Sequence, residues 1–196
     1  METVEFSVRE GSIAGLKVIT VKEVSDERGI VREVFRRSAY AAAGIDLDRF
    51  VQINVTETRA GAVRGMHAEW MTKLTTVAAG EAFGVYVDLR ADSATAGEVD
   101  TVTLRPGVEV LVPPGVANGF QSLSNPSAYL YCFDQEWYPG MPGVACTPLD
   151  PAIFPHWPMH FEHDDPAFLS AKDRMAPTLD AVRASFDADD AEGDES

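Results

Sequence analysis

The run Arg64-Gly65-Met66-His67-Ala68-Glu69 precedes a strand-like segment beginning at Lys73, which places an imidazole, a guanidinium and an ammonium within ten residues. The ordinary pKa of histidine suits a general base near neutrality, and neighbouring cations bind anionic groups or stabilise a developing negative charge. The bland alternative is a surface loop with an ordinary histidine, placed just before a strand that begins at Lys73. Tyr129 and Tyr131 stand two apart on a strand-like run and therefore face the same side. Such a tyrosine is either a general acid aimed into a pocket or a core residue whose hydroxyl finds a partner. Asn118 lies in the stiff connection Val112-Pro113-Pro114-Gly115-Val116-Ala117-Asn118-Gly119-Phe120, where it points inward or supports the turn. His156, His160 and His163 suggest a metal, but Pro155 and Pro158 break the helix that would align His156 with His160. His67 and Glu69 lack a second histidine two residues from His67, so no metal site is expected.

These residues need a frame, and the hydropathy pattern favours strands. Leu16 to Val24 alternates in part, and Val51 to Thr56 alternates cleanly with apolar residues at odd positions, predicting that the odd face is buried. Lys73 to Ala78 and Ala82 to Leu89 read as a hairpin across Ala79-Gly80-Glu81. Val99 to Leu104, Val108 to Val112, Gly119 to Leu123 and Ala128 to Phe133 continue the series, separated by Gly and Pro. Many short strands without alternating helices indicate a mainly β sandwich or barrel rather than a doubly wound sheet. Helix is expected from a Ser38 cap through Ala43 with Gly44 ending it, over Ala167 to Lys172, and over Leu179 to Phe186. We read residues 1–186 as a single domain and 187–196, with six acids and no base, as an acidic disordered tail. The chain contains no GxxxxGK[ST] or GxGxxG loop.

In the 196 residues, 31 acidic side chains outnumber 16 basic ones, for a formal charge of -15. Nucleic acid and anionic lipid are therefore disfavoured as partners. An anionic substrate has to be drawn in by a local cationic cluster, which the Arg64 to Lys73 region can supply. The N-terminus has no basic and apolar leader, and no apolar run reaches membrane-spanning length, so a cytoplasmic protein is expected. Cys132 and Cys146 have no CxxC spacing, and neither a disulfide framework nor a zinc knuckle is expected.

The ordered motifs Asp26-Glu27-Arg28-Gly29, Gln52-Ile53-Asn54, Arg64-Gly65-Met66-His67, Val87-Asp88-Leu89-Arg90, Pro113 to Phe120, Trp157-Pro158 and Leu169 to Arg174 span most of the chain. Together they resemble the thymidine-diphosphate-4-dehydrorhamnose 3,5-epimerases, metal-free members of the cupin jelly rolls. The resemblance implies a cupin-type jelly roll that epimerises a nucleotide-diphospho-4-keto-6-deoxysugar at C3, C5 or both, without cofactor or metal. It implies that His67 is the base, Asp173 its orienting carboxylate, Tyr131 the acid on the opposite face and Lys73 the enolate-stabilising cation. Arg64, Gln52 and Asn54 match positions that hold the nucleotide-sugar, and Asn118, Trp137 and Lys172 join the substrate-binding set. Arg28 matches an arginine offered to the neighbouring subunit, implying a functional homodimer. Departures from the family pattern are the short segment Ala68 to Thr72, Asn118 where many relatives carry histidine, and Gly140-Met141-Pro142-Gly143. They bear on which sugar is used and on single versus double epimerisation. A 3,4-ketoisomerase and a non-catalytic nucleotide-sugar-binding cupin are the alternatives on the same roll.

Overall fold

The computed structural model of the chain describes residues 1–46 and 50–185. The strands run β1 (Glu2–Val4), β2 (Ser7–Glu10), β3 (Lys17–Thr20), β4 (Glu23–Asp26) and β5 (Gly29–Arg32), followed by helix α1 (Arg37–Ala42). The body continues with β6 (Gln52–Thr58), β7 (Val63–Glu69), β8 (Lys73–Ala79), β9 (Ala82–Asp88) and β10 (Val99–Leu104). It closes with β11 (Val108–Val112), β12 (Val116–Ser122), β13 (Ser127–Phe133), β14 (Gly143–Ala145), a 3-10 turn at Phe154–His156 and helix α2 (Ala171–Arg174). Residues 179–185 are also helical.

Two antiparallel sheets form the roll, one in the order β10-β9-β12-β7-β14 and the other β2-β3-β11-β8-β13-β6. Their facing sides bury Val77, Tyr86, Val110, Val112, Phe120 and Tyr129 among others. Phe120 from one sheet stacks on Tyr129 from the other, with ring centroids 3.8 Å apart and planes 4° from parallel. Burying each large apolar side chain of this kind contributes about 1.5–3 kcal/mol, so the interior seam is a main source of stability. The outer face of the five-stranded sheet is covered by the C-terminal segment, with Ile153, Trp157, Phe161 and Leu169 packed on Met66, Ala68 and Val87. The buried Gln121 amide secures that cover through a hydrogen bond from Nε2 to the Met159 carbonyl and one to Oε1 from its amide, both 2.9 Å. α1 covers part of the other sheet, setting Tyr40 against Ile19, Leu74, Leu111 and Cys132.

The structure corrects several expectations. The run Leu16 to Val24 is two strands in different sheets, because the Val21 amide donates to the Gly107 carbonyl and the Glu33 amide to the Lys22 carbonyl as the chain turns away. The odd residues of the Val51 to Thr56 run are not buried: Ile53 and Val55 are 61% and 59% exposed on the outer face of the six-stranded sheet. The even residues Gln52, Asn54 and Thr56 face inward instead, lining a cavity, so polarity and orientation are inverted relative to an ordinary half-buried strand. Ser38 does not cap α1; Arg36 holds that position without a side-chain bond. The helix foreseen over Ala167 to Lys172 forms later, at α2, because the Ser170 side chain accepts from the Asp173 amide and starts it there. The acidic tail at 187–196 lies outside the described residues.

Candidate active site

Arg64 to Glu69 is a strand and not a loop, and its irregularity aims the site. Gly65 has φ +124°, and a Cβ there would come within 2.5 Å of the Gly119 Cα and 2.8 Å of the Asn118 carbonyl. A side chain at 65 would force β7 and β12 apart. The pairing slips at this point: His67 is opposite Asn118, whereas Arg64 is opposite Phe120. The slip lets Arg64, His67 and Glu69 all line the cavity, while Met66 and Ala68 enter the outer apolar layer.

The cavity holds about 900 Å³ and lies between the two sheets. β7 and β12 contribute Arg64, His67, Glu69 and Asn118; β6, β8 and β13 contribute Gln52, Asn54, Thr56, Lys73 and Tyr131. Trp137 and Met141 stand on the segment before β14, and Lys172 and Asp173 arrive from α2. Three cations, Arg64, Lys73 and Lys172, share this space with the carboxylates Glu69 and Asp173. The cavity is therefore locally cationic inside a chain of charge -15.

His67 Nε2 lies 2.7 Å from Asp173 Oδ1. Burial would raise the Asp173 pKa, but the hydrogen bond and charge of His67, with help from Ser170, hold it below the ordinary aspartate value. The carboxylate fixes the imidazole and leaves the other ring nitrogen for a substrate. Tyr131 is on the opposite sheet, its hydroxyl 2.9 Å from Thr56 Oγ1. Lys73 is only 4% exposed and hydrogen-bonds Asn118 Oδ1 at 2.8 Å, the His67 carbonyl at 3.2 Å and the Glu69 carboxylate. Burial pulls the lysine pKa down and Glu69 acts against that pull. Arg64 Nε donates to Thr58 Oγ1 at 3.1 Å. Gln52 places its Nε2 3.3 Å from Asn54 Oδ1, and its Oε1 accepts the Trp137 backbone amide at 2.7 Å.

Ten of the eleven residues named from sequence thus meet around one cavity; Arg28 does not. It sits beyond Asp26 at the tip of the β4–β5 hairpin, with a 90% exposed side chain that bonds Asp26 at 2.5 Å. His160 and His163 pair with Glu162 and Asp164 near the surface. The sequence reading gave no role to Thr56 or Ser170 and weighed Glu69 only as a metal ligand. The available signal was alternation: Thr56 follows Gln52 and Asn54, and Glu69 follows His67, at strand spacing.

A jelly roll with a histidine–aspartate pair on one wall of its cavity and a tyrosine on the other is the architecture of a cupin-type protein. The sequence model of a family described as dTDP-4-dehydrorhamnose 3,5-epimerase matches residues 10–181. The chain is 34% identical to the dTDP-4-dehydrorhamnose 3,5-epimerase of Methanothermobacter thermautotrophicus over 87% of its own length and 92% of that protein. Among solved structures it resembles NovW, a 4-keto-6-deoxy sugar epimerase from the novobiocin biosynthetic gene cluster of Streptomyces spheroides. That match has a TM-score of 0.85 at 27% identity, covering 94% of this chain and 92% of that one. It also resembles a dTDP-6-deoxy-D-glucose-3,5-epimerase from Legionella pneumophila in complex with dTDP-4-keto-L-rhamnose, with a TM-score of 0.81, 33% identity and coverages of 92% and 96%. The chain belongs to the dTDP-4-dehydrorhamnose 3,5-epimerase family.

Proposed function

We propose that the protein is an isomerase that inverts a nucleotide-diphospho-4-keto-6-deoxysugar at C3, C5 or both. The carrying observation is the placement of the His67–Asp173 pair and Tyr131 on opposite sheets around one cavity. The 4-keto group acidifies hydrogen on the adjacent ring carbons. His67 takes one such proton, the C–H electron pair moves to the carbonyl oxygen, and Lys73 stabilises the resulting enolate. Tyr131 then gives its proton to the same carbon from the other face. Exchange with solvent returns the phenolate and the imidazolium to their starting forms, so protons and electrons balance. Asp173 steadies His67 while its ring is charged.

In this reading Arg64 and Lys172 meet the diphosphate, and Gln52, Asn54, Asn118 and Trp137 shape the pocket for sugar and base. The protein acts as a homodimer that reaches each cavity with the partner's Arg28. The exposed Ile30 and Val31 on the hairpin and Ile53 and Val55 on β6 support that assembly, since they offer apolar surface for a second copy to cover. The chain works as one domain over 1–186, in the cytoplasm; among the described residues no helix is long and apolar enough to cross a membrane.

The test is proton NMR of thymidine-diphosphate-4-keto-6-deoxyglucose incubated with the protein in deuterated water. Loss of both the C3 and C5 signals marks double inversion and loss of one marks a single epimerase. A product whose carbonyl has moved would instead mark a ketoisomerase, and binding without exchange would mark a protein that does not turn over.

A further inference from the structure

Lys73 begins β8 in the six-stranded sheet, yet the acceptors for its three N–H donors all lie in the five-stranded sheet: Glu69, Asn118 and the His67 carbonyl. An ammonium has three donors and no acceptor, so these partners use its whole capacity. Two of the three are neutral. Among the described residues Glu69 is the carboxylate in contact with the ammonium, and its own side chain is 17% exposed. His67, Asp173, Arg64 and Lys172 line the same cavity without an ion pair to Lys73. An enolate oxygen can receive a hydrogen bond from Lys73 only by replacing one of the three acceptors.

We infer that Glu69 is the positioning residue for Lys73: its carboxylate anchors the ammonium across the sheets and keeps it in the charged, donating form. The assignment rests on the epimerase reading for its catalytic consequence, but the contact stands without it. Burial of Lys73 favours the neutral amine, which cannot stabilise an enolate, and Glu69 opposes that loss. In this arrangement Glu69 acts through the lysine.

The experiment uses the full chain labelled with carbon-13 lysine. Its four lysines give four side-chain signals, with Lys73 assigned by comparison with Lys73→Arg. The Lys73 signal is titrated without substrate in the wild type, Glu69→Gln and Glu69→Asp. The expected result is a midpoint lowered by about one pH unit or more in Glu69→Gln and by less in Glu69→Asp, with the other three signals unmoved. An unchanged Lys73 midpoint in Glu69→Gln overturns the inference. Glu69→Asp keeps the charge and decides the matter if the glutamine variant does not fold, since withdrawing the carboxylate by one methylene must also lower the midpoint. With substrate, the alkaline limb of kcat moves to lower pH in step with the titration while KM stays within about twofold. A limb that does not move overturns the catalytic consequence. If the wild type exchanges no substrate hydrogen, the epimerase reading fails alone, and the titration still decides whether Glu69 holds Lys73.

Discussion

His67 and Asp173, 106 residues apart in sequence, meet at 2.7 Å because the Ser170-capped turn of α2 is packed onto the strand that carries the histidine. The pair joins two layers of the molecule, and its charge can be removed with little change of shape.

Asp173→Asn keeps the size of the side chain and removes the charge that steadies an imidazolium. We expect kcat to fall by about 10²–10⁴-fold with the fold retained. The lowered Asp173 pKa also has a stability consequence. A carboxyl depressed in the folded state stabilises the protein above its unfolded pKa, and that contribution is lost as pH falls through the folded value. The wild type should therefore lose more stability than Asp173→Asn on acidification below about pH 4, read by urea unfolding across pH.

Tyr131→Phe removes the proton donor and leaves the ring that packs between Tyr129 and Phe133. Product with inverted configuration should fall by about 10²-fold or more, while nucleotide-sugar affinity measured by calorimetry stays near wild type. Full inversion by this variant would remove Tyr131 from the mechanism.

Ile53→Asp with Val55→Asp places charge on the outer face of β6, where both native side chains are exposed. Sedimentation velocity should give a dimer for the wild type and a monomer for the variant. A monomeric wild type would sink the assembly proposed above.

Glu109 lies 1% exposed behind α1, where Tyr40 donates to one of its oxygens. Burial pushes its pKa up to about 8 from 4.5, with the Tyr40 hydrogen bond opposing the rise. The folded state therefore holds a proton that the unfolded chain has released, and stability falls as pH rises from about 4.5 to about 8. Glu109→Gln should flatten that slope, matching wild type near pH 5 and exceeding it by about 1–3 kcal/mol at pH 9, as read by denaturant unfolding. A parallel slope in both proteins would exclude Glu109 as its origin.

β10 and β11 were legible because Gly and Pro mark their ends, and β13 begins one residue earlier than expected, whereas β12 begins at Val116, three residues before the expected Gly119. β7 was not, since Arg64-Gly65-Met66-His67 breaks the period of two where the pairing with β12 slips. β6 was found but its faces were exchanged. Alternation reports that two faces differ, and it cannot say that the polar one looks into a cavity. The cluster His67, Lys73 and Arg64 was visible as local chemistry and Tyr131 as a candidate acid from its strand spacing, whereas the contact of Asp173 with His67, 106 residues away, entered only through family resemblance.

The two faces of β6 also constrain how the gene can change. Gln52, Asn54 and Thr56 belong to the cavity, Val51, Ile53 and Val55 to the outside, and residues 52–58 are held by continuous pairing with β13. Slipping this pairing by one residue would turn the apolar set into the cavity and the polar set outward. A slip of two residues would restore the parity. A one-residue insertion or deletion inside 52–58 should therefore be rejected where a change of length ahead of the strand, which leaves the pairing in register, is tolerated.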